Sequence, residues 1–113
     1  MDLATADSIL KEIRAECGKA LRLLDAREMM LRRAFQYARI RVDWSLSTLE
    51  ERQRMDARRT LAHNALIDAC NSLSRAMGEA GRSNSWRERL GEDRQVIGDF
   101  ACLAHAIHGI GAR

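Results

Sequence analysis

Three ionisable side chains of the central segment have the types and the spacing to bind an anion. Arg52, Arg59 and His63 recur at helical spacing on the face that also carries the apolar Met55 and Leu66. Charged groups on a face that packs against the rest of the protein need partners. Arginine can donate two parallel hydrogen bonds to a phosphate or a carboxylate, and histidine can add a further donor. The functional interpretation is therefore an anion pocket with Arg59 and His63 as its main donors.

A structural interpretation of the same residues is favoured over the functional one. In an antiparallel pairing of the first two predicted helices, residue i faces roughly residue 90 minus i. This register brings Glu28 opposite Ala62 and within reach of Arg59 and His63. The carboxylate then satisfies both cations in a polar cluster that sets the register of the two helices. Under either interpretation, Glu28, Arg59 and His63 are neighbours.

A second basic element surrounds Trp86. Arg82, Arg87 and Arg89 flank this tryptophan in a segment that also contains glycine and serine, and Arg94 stands near the start of the next predicted helix. A loop that combines cations with an aromatic ring can close over a small anionic ligand. The predicted ligand-binding residues are therefore Arg59, His63, Arg94, Trp86 and Glu28.

No motif typical of catalysis is found, and we expect no catalytic residue and no cofactor. The patterns of nucleophilic hydrolases, zinc proteases and glycine-rich phosphate loops do not occur in the sequence. His105 and His108 have a spacing that can place two imidazoles on one metal, but His105 points away from the predicted apolar face, so we expect no metal site. The three cysteines lack C-x-x-C spacing and fall among apolar residues, which is typical of reduced core residues.

The composition predicts one all-helical domain over residues 1–113. Hydrophobic residues make up 46% and charged residues 31%, a mixture typical of globular proteins, and there is no proline. Strong helix formers such as Ala, Leu, Arg, Glu and Met are abundant. No apolar run is long enough to span a bilayer, and Asp2 and Asp7 stand where a secretory signal would be basic. We therefore expect a cytoplasmic protein that does not enter a membrane.

Apolar periodicity predicts two long helices and one shorter helix. The helices cover about residues 7–42, 47–80 and 92–108, and residues 81–91 form a loop that can contain one helical turn. A break near Asp43–Ser47 separates the first two helices, with either Ser47 and Glu50 as a capping box or Ser45 as the cap. Because this turn is short, the two long helices are predicted to form an antiparallel hairpin.

The predicted hairpin is too long for a protein of this size. A helix of 36 residues would be roughly 54 Å long, whereas a compact chain of 113 residues has a diameter of roughly 35 Å. The third helix is expected to cover only the half that contains Leu10–Leu24 and Leu66–Ala80. The turn end would then expose apolar residues such as Phe35, Val42 and Trp44, so we expect a second copy to complete the bundle as a homo-oligomer.

The positive charge of the chain is concentrated at the same turn end. The chain carries a net charge of +3, and residues 31–59 alone contain eight arginines and four acids, a net charge of +4. Such a surface is often only a solvated helix face, but with Tyr37 and Trp44 available for stacking it can also contact phosphates or bases. Nucleic acid is therefore a second possible partner.

Two segments resemble an uncharacterised family of small helical proteins from bacteria and their phages. The first has the pattern R-x-x-x-H-N-x-L-I-D from Arg59 to Asp68, and the second has D-R-x-x-I-G-D-F-A from Asp93 to Ala101. The resemblance covers about the last 55 residues and implies a helical fold with no assigned activity. The arrangement W-x-x-x-L-G-x-D from Trp86 to Asp93 is also similar to phage proteins that sequester cyclic-nucleotide immune signals.

The sequence therefore predicts a non-enzymatic, oligomeric binding protein that holds a small anionic, nucleotide-like ligand. The alternative is a protein-interaction or nucleic-acid-binding regulatory module that uses the basic turn end. The first prediction depends on the residues around Arg59 and His63, and the second depends on the surface charge of residues 31–59.

Overall fold

The protein's structure is a computed structural model that describes residues 1–111, and every regular element within them is an α-helix. The predicted all-helical class is thus confirmed. Residues 112 and 113, the end of the predicted domain, lie outside the described part. The elements are α1 (Leu3–Cys17), α2 (Leu21–Ser45), α3 (Leu49–Glu79), α4 (Trp86–Leu90) and α5 (Arg94–Gly111). None of these helices combines the length and the apolar character that crossing a membrane requires.

The prediction of one continuous helix over residues 7–42 is wrong, because the chain breaks at Gly18. This glycine has φ 54° and ψ −126°, a conformation that L side chains rarely adopt. The Ala20 backbone N–H donates to the Cys17 carbonyl at 3.1 Å, which closes the turn between α1 and α2. Several predicted apolar residues of this stretch are nevertheless buried, among them Ile9, Ile13 and Leu31, whereas Leu24 is only partly buried and Val42 is 53% exposed.

Helices α2 and α3 are connected by residues 46–48 and run in opposite directions. Thr48 caps α3: its hydroxyl accepts from the Glu51 N–H, and the Glu51 carboxylate accepts from the Thr48 N–H. The capping box therefore lies one residue later than the predicted Ser47–Glu50 pair. Cross-helix pairs such as Arg22 with Glu79 have residue numbers that add to about 100 rather than 90. The difference arises partly because α2 continues to Ser45, which moves the centre of the turn toward the C-terminus.

Helix α5 packs along the second half of α2, so the prediction that it covers only the far half of the hairpin is wrong. Arg41 Nη1 on α2 lies 3.3 Å from Asp99 Oδ1 on α5. Gly98 permits this approach, since a Cβ there would lie 2.7 Å from Arg41 Nη1. The physical reason for the difference is the break at Gly18, which allows α1 to contact α4, α5 and α2 as a separate helix.

The segment predicted as the loop 81–91 contains α4 and is attached to α1. Ser85 Oγ donates to Glu12 Oε1 at 2.8 Å, Arg89 Nη1 donates to Glu12 Oε2 at 2.7 Å, and the Ser83 N–H donates to Glu16 Oε2 at 3.1 Å. Leu90 is buried together with Trp86. These contacts make the segment part of the domain.

Candidate functional site

Arg59 and His63 lie one turn apart on α3, and each contacts an aromatic ring of α2. The guanidinium carbon of Arg59 lies 3.7 Å from the centre of the Trp44 ring. The His63 ring meets the Tyr37 ring edge-on, with ring centres 5.7 Å apart. A cation over the face of a tryptophan is attracted by the electrons of the ring. We call these four residues the Arg59–His63 cluster, and it joins α2 to α3 near their turn.

Two nitrogen atoms of the Arg59–His63 cluster are buried without a hydrogen-bond partner among residues 1–111. These atoms are Nε of Arg59 and Nε2 of His63. The other ring nitrogen of His63, Nδ1, lies 3.2 Å from Asn64 Oδ1. If Nδ1 donates to that oxygen, Nε2 remains as an unpaired acceptor, beside an unpaired Arg59 donor. Each unpaired buried group costs about 1–3 kcal/mol of stability.

Arg94 reaches the same part of α3 from the start of α5. Its Nη2 atom donates to Thr60 Oγ1 at 3.1 Å, and Thr60 is adjacent to Arg59 in the chain. The structure therefore brings Arg59, His63 and Arg94, three of the five predicted ligand residues, to one region of the protein.

The two remaining predicted residues, Glu28 and Trp86, lie elsewhere. Glu28 is exposed on α2, and its Oε1 accepts from Arg32 Nη2 at 3.4 Å, one turn away on the same helix. Trp86 is fully buried, at 0% exposure, and its indole nitrogen donates to Met77 Sδ at 3.0 Å. The prediction that Glu28 faces Arg59 and His63 is wrong because the register of α2 and α3 differs from the assumed one. Trp86 belongs to the core and presents no surface for stacking.

A groove between α2 and α3 is lined by three arginines. Its volume is about 450 Å³, and its lining residues are Arg33, Gln36, Arg39, Ile40, Arg58, Leu61, Ala62 and Ala65. Its three arginines come from two helices, and no carboxylate of residues 1–111 lines it. None of the three guanidinium groups forms an ion pair within 4 Å among the described residues. We call this feature the basic groove.

No sequence pattern predicts the basic groove, although its arginines contribute to the positive charge of the turn end. Arg33 and Arg39 are six residues apart, which does not place them on one narrow stripe of a helix. Arg58 belongs to another helix, and its position relative to α2 depends on the register. The only available signal was the excess of arginine over acids in residues 31–59.

Two of the three cysteine thiols lie in the core. Burial raises the pKa of Cys17, and it raises the pKa of Cys70 to about 12, so both thiols stay protonated and unreactive. Within residues 1–111, no group of three or more His, Cys, Asp or Glu side chains is placed to hold a metal ion.

We expect the stability of the protein to depend on pH through His108. Burial, and to a lesser extent Arg27, lowers the pKa of His108 below its usual 6.5, and its ring lies 5.7 Å from that of Phe35. The unfolded chain therefore binds a proton more readily than the folded protein, and stability is lost as pH falls below about 6.5 through the lower folded pKa.

We expect the melting temperature to fall between pH 7.5 and pH 5.5, and His108→Gln to reduce that fall. Scanning calorimetry of both proteins in matched buffers provides the measurement. The control is His105→Gln, because His105 is exposed and also contacts Phe35. If His108→Gln leaves the pH dependence unchanged, the neutral form of His108 does not contribute to stability.

Comparison of the chain with protein-family models, with curated proteins and with solved structures finds no match. The function is therefore argued from the site itself.

Proposed function

We propose that this protein is a non-enzymatic, oligomeric binding protein that holds a small phosphate-bearing, nucleotide-like ligand in the basic groove. The observation that carries the proposal is the convergence of Arg33, Arg39 and Arg58 on a groove that no carboxylate lines. Guanidinium groups bind phosphate oxygens with paired hydrogen bonds. A volume of about 450 Å³ falls within the range of small-molecule sites.

The apolar part of the basic groove suits the remainder of a nucleotide. Ile40, Leu61, Ala62 and Ala65 provide an apolar surface between the arginines, and Leu61 is 69% exposed. A base or a sugar that covers Leu61 removes apolar area from water, which favours binding. The combination of cations and exposed apolar area distinguishes this groove from an ordinary charged helix surface.

The Arg59–His63 cluster supports the basic groove from the inside. Arg59 packs on Trp44, and His63 packs on Tyr37, which is only 2% exposed. Two of their nitrogen atoms, Arg59 Nε and His63 Nε2, are buried and therefore out of reach of a ligand that lies in the basic groove. We infer that Arg59 and His63 hold the two helices at the spacing that the basic groove requires, and that they do not contact the ligand.

Calorimetric titration with ATP, GTP, cyclic AMP and a cyclic dinucleotide tests the proposal. We expect at least one of them to bind, and Arg58→Glu to weaken that binding about tenfold or more, because it replaces a favourable charge by a repulsive one. Arg75→Glu is the matched control, since Arg75 is also exposed on α3, changes the net charge equally and lies outside the groove. Its effect on binding should be about twofold or less.

Two results would contradict the proposal. The first is that no nucleotide produces heat or raises the melting temperature. The second is that nucleotides fail to bind while a labelled single-stranded oligonucleotide binds in a salt-sensitive manner. That second result would assign the groove to nucleic acid instead.

A further inference from the structure

The side of α2 that faces α5 carries an apolar groove with a volume of about 580 Å³. Its lining residues are Phe35, Gln36, Ala38, Arg39, Val42, Asp43, Cys102 and His105. Val42 is 53% exposed, and Leu46, one turn further along the chain, is 82% exposed. We call the surface formed by this groove and Leu46 the α2–α5 face. It combines exposed apolar area with one cation and one carboxylate of α2.

Residues of α2 on the α2–α5 face follow the spacing of a helix-packing seam. Phe35, Arg39 and Val42 of α2 and Leu46, which directly follows the last residue of α2, are separated by four, three and four residues. This is the pattern with which one helix packs lengthwise against another. Within residues 1–111, no helix covers Val42 and Leu46. The seam therefore continues beyond the part that α5 covers.

The two charges of the α2–α5 face are unpaired within the described chain. Arg39 and Asp43 stand one turn apart on α2, yet neither forms an ion pair within 4 Å with any residue from 1 to 111. Other exposed charged pairs of the protein, such as Lys11 with Asp7, do form such contacts. Arg39 and Asp43 are therefore free to pair with charges of another chain.

This pattern is complementary to itself when two copies of α2 lie antiparallel. If Arg39 faces the partner's Asp43, the twofold axis passes close to Val42. In the same register, Leu46 falls beside the partner's Phe35. The Arg39–Asp43 pair and the contact between the exposed Leu46 and the half-buried Phe35 then each occur twice, once on each side of the axis. A parallel arrangement would instead place Arg39 against the partner's Arg39.

We propose that a second copy of this chain docks on the α2–α5 face, with α2 antiparallel to the partner's α2 around a twofold axis near Val42. The face carries one positive and one negative group, which favours a second copy as the partner. A helix of another protein whose charges all have one sign would leave either Arg39 or Asp43 without an opposite charge. The inference rests on the oligomeric part of the proposed function, and it shares only Arg39 and Gln36 with the basic groove.

Sedimentation equilibrium over a wide range of protein concentration tests this interface. We expect a reversible dimer, and we expect Val42→Glu to weaken it about tenfold or more by burying a carboxylate beside its symmetry copy. Leu61→Glu is the control, because Leu61 is also exposed but lies in the basic groove on α3. It should leave the dimer unchanged. Circular dichroism should show the same helix content in every variant.

Charge exchange identifies the register of the two chains. Arg39→Asp and Asp43→Arg should each weaken the homodimer, because each places like charges opposite one another. A mixture of these two variants should form a heterodimer, and the double variant R39D/D43R should recover the homodimer. Because Arg39 also lines the basic groove, the double variant is expected to dimerise while it binds nucleotide more weakly.

Three outcomes would overturn the inference. If the protein is a monomer at every concentration, a second copy does not dock on the α2–α5 face. That result would also contradict the oligomeric part of the proposed function. A dimer that Val42→Glu and Leu61→Glu weaken equally would have its interface elsewhere. A dimer weakened by Val42→Glu but not recovered by the charge exchange would use the face in another register. Nucleotide titration is a separate measurement that none of these outcomes decides.

Discussion

Replacing Trp86 by alanine is expected to lower the free energy of unfolding by about 3–5 kcal/mol. The ring is fully buried at 0% exposure, and its indole nitrogen donates to Met77 Sδ at 3.0 Å. The substitution removes the largest fully buried side chain of the protein and leaves a cavity beneath α4. Because α4 has only five residues, it depends on this packing more than on its own backbone hydrogen bonds. Urea denaturation followed by circular dichroism measures the effect.

Trp86→Phe serves as the control for the lost volume. Phenylalanine keeps an aromatic ring in the core but lacks the N–H that contacts Met77, so we expect a smaller loss of about 1–2 kcal/mol. If Trp86→Ala instead costs less than about 1 kcal/mol, Trp86 does not pack as the structure shows. The interpretation of Trp86 as a ligand-stacking residue would then be open again.

Gly18→Ala is expected to cost about 1–3 kcal/mol of stability. The cause is the backbone conformation at φ 54° and ψ −126°, since the new Cβ would have ample space, with its nearest contact at 3.8 Å from Arg82. An alanine at this position favours continuation of α1 into α2, which would pull α1 away from α4 and α5. Thermal unfolding monitored by circular dichroism measures the loss.

Gly109→Ala is the matched control for Gly18→Ala. Gly109 is helical, has no positive φ, and offers open space for a Cβ. The same substitution should therefore be neutral or stabilising there, by up to about 1 kcal/mol. If both variants are neutral, the chain tolerates a continuous helix through residue 18, and the break between α1 and α2 is not required for stability.

The candidate site was predictable only in part. Arg59, His63 and Arg94 could be selected because they interrupt apolar faces or begin a helix, and the structure does bring them to one region. Their partners could not be selected in the same way. Glu28 was assigned by a register that the structure contradicts. The cross-helix partners of Arg59 and His63 are the rings of Trp44 and Tyr37. On α3 itself, Arg59 pairs with Asp56 at 3.5 Å. The basic groove depends on how α2 and α3 face each other, which no single-helix pattern contains.

The sequence by itself determined the helical class, the ends of α3 to within two residues and the identity of many core residues. Each of these depends on local preference or on a period of 3.6 residues, and both can be read along one segment. Ile9, Leu66 and Leu73 are examples of predicted apolar residues that are buried.

Only the tertiary structure decided the break at Gly18, the position of α5 on α2, and the convergence of arginines in the basic groove. Glycine permits a left-handed turn without requiring one, so packing of α1 against α4 and α5 had to select it. The position of Trp86 was likewise decided by packing. A tryptophan ring can lie in a core or on a binding surface, so its residue type alone does not say which. Trp86 is buried because α4 packs against Met77 of α3. This contact between two helices is not specified by the pattern of either segment alone.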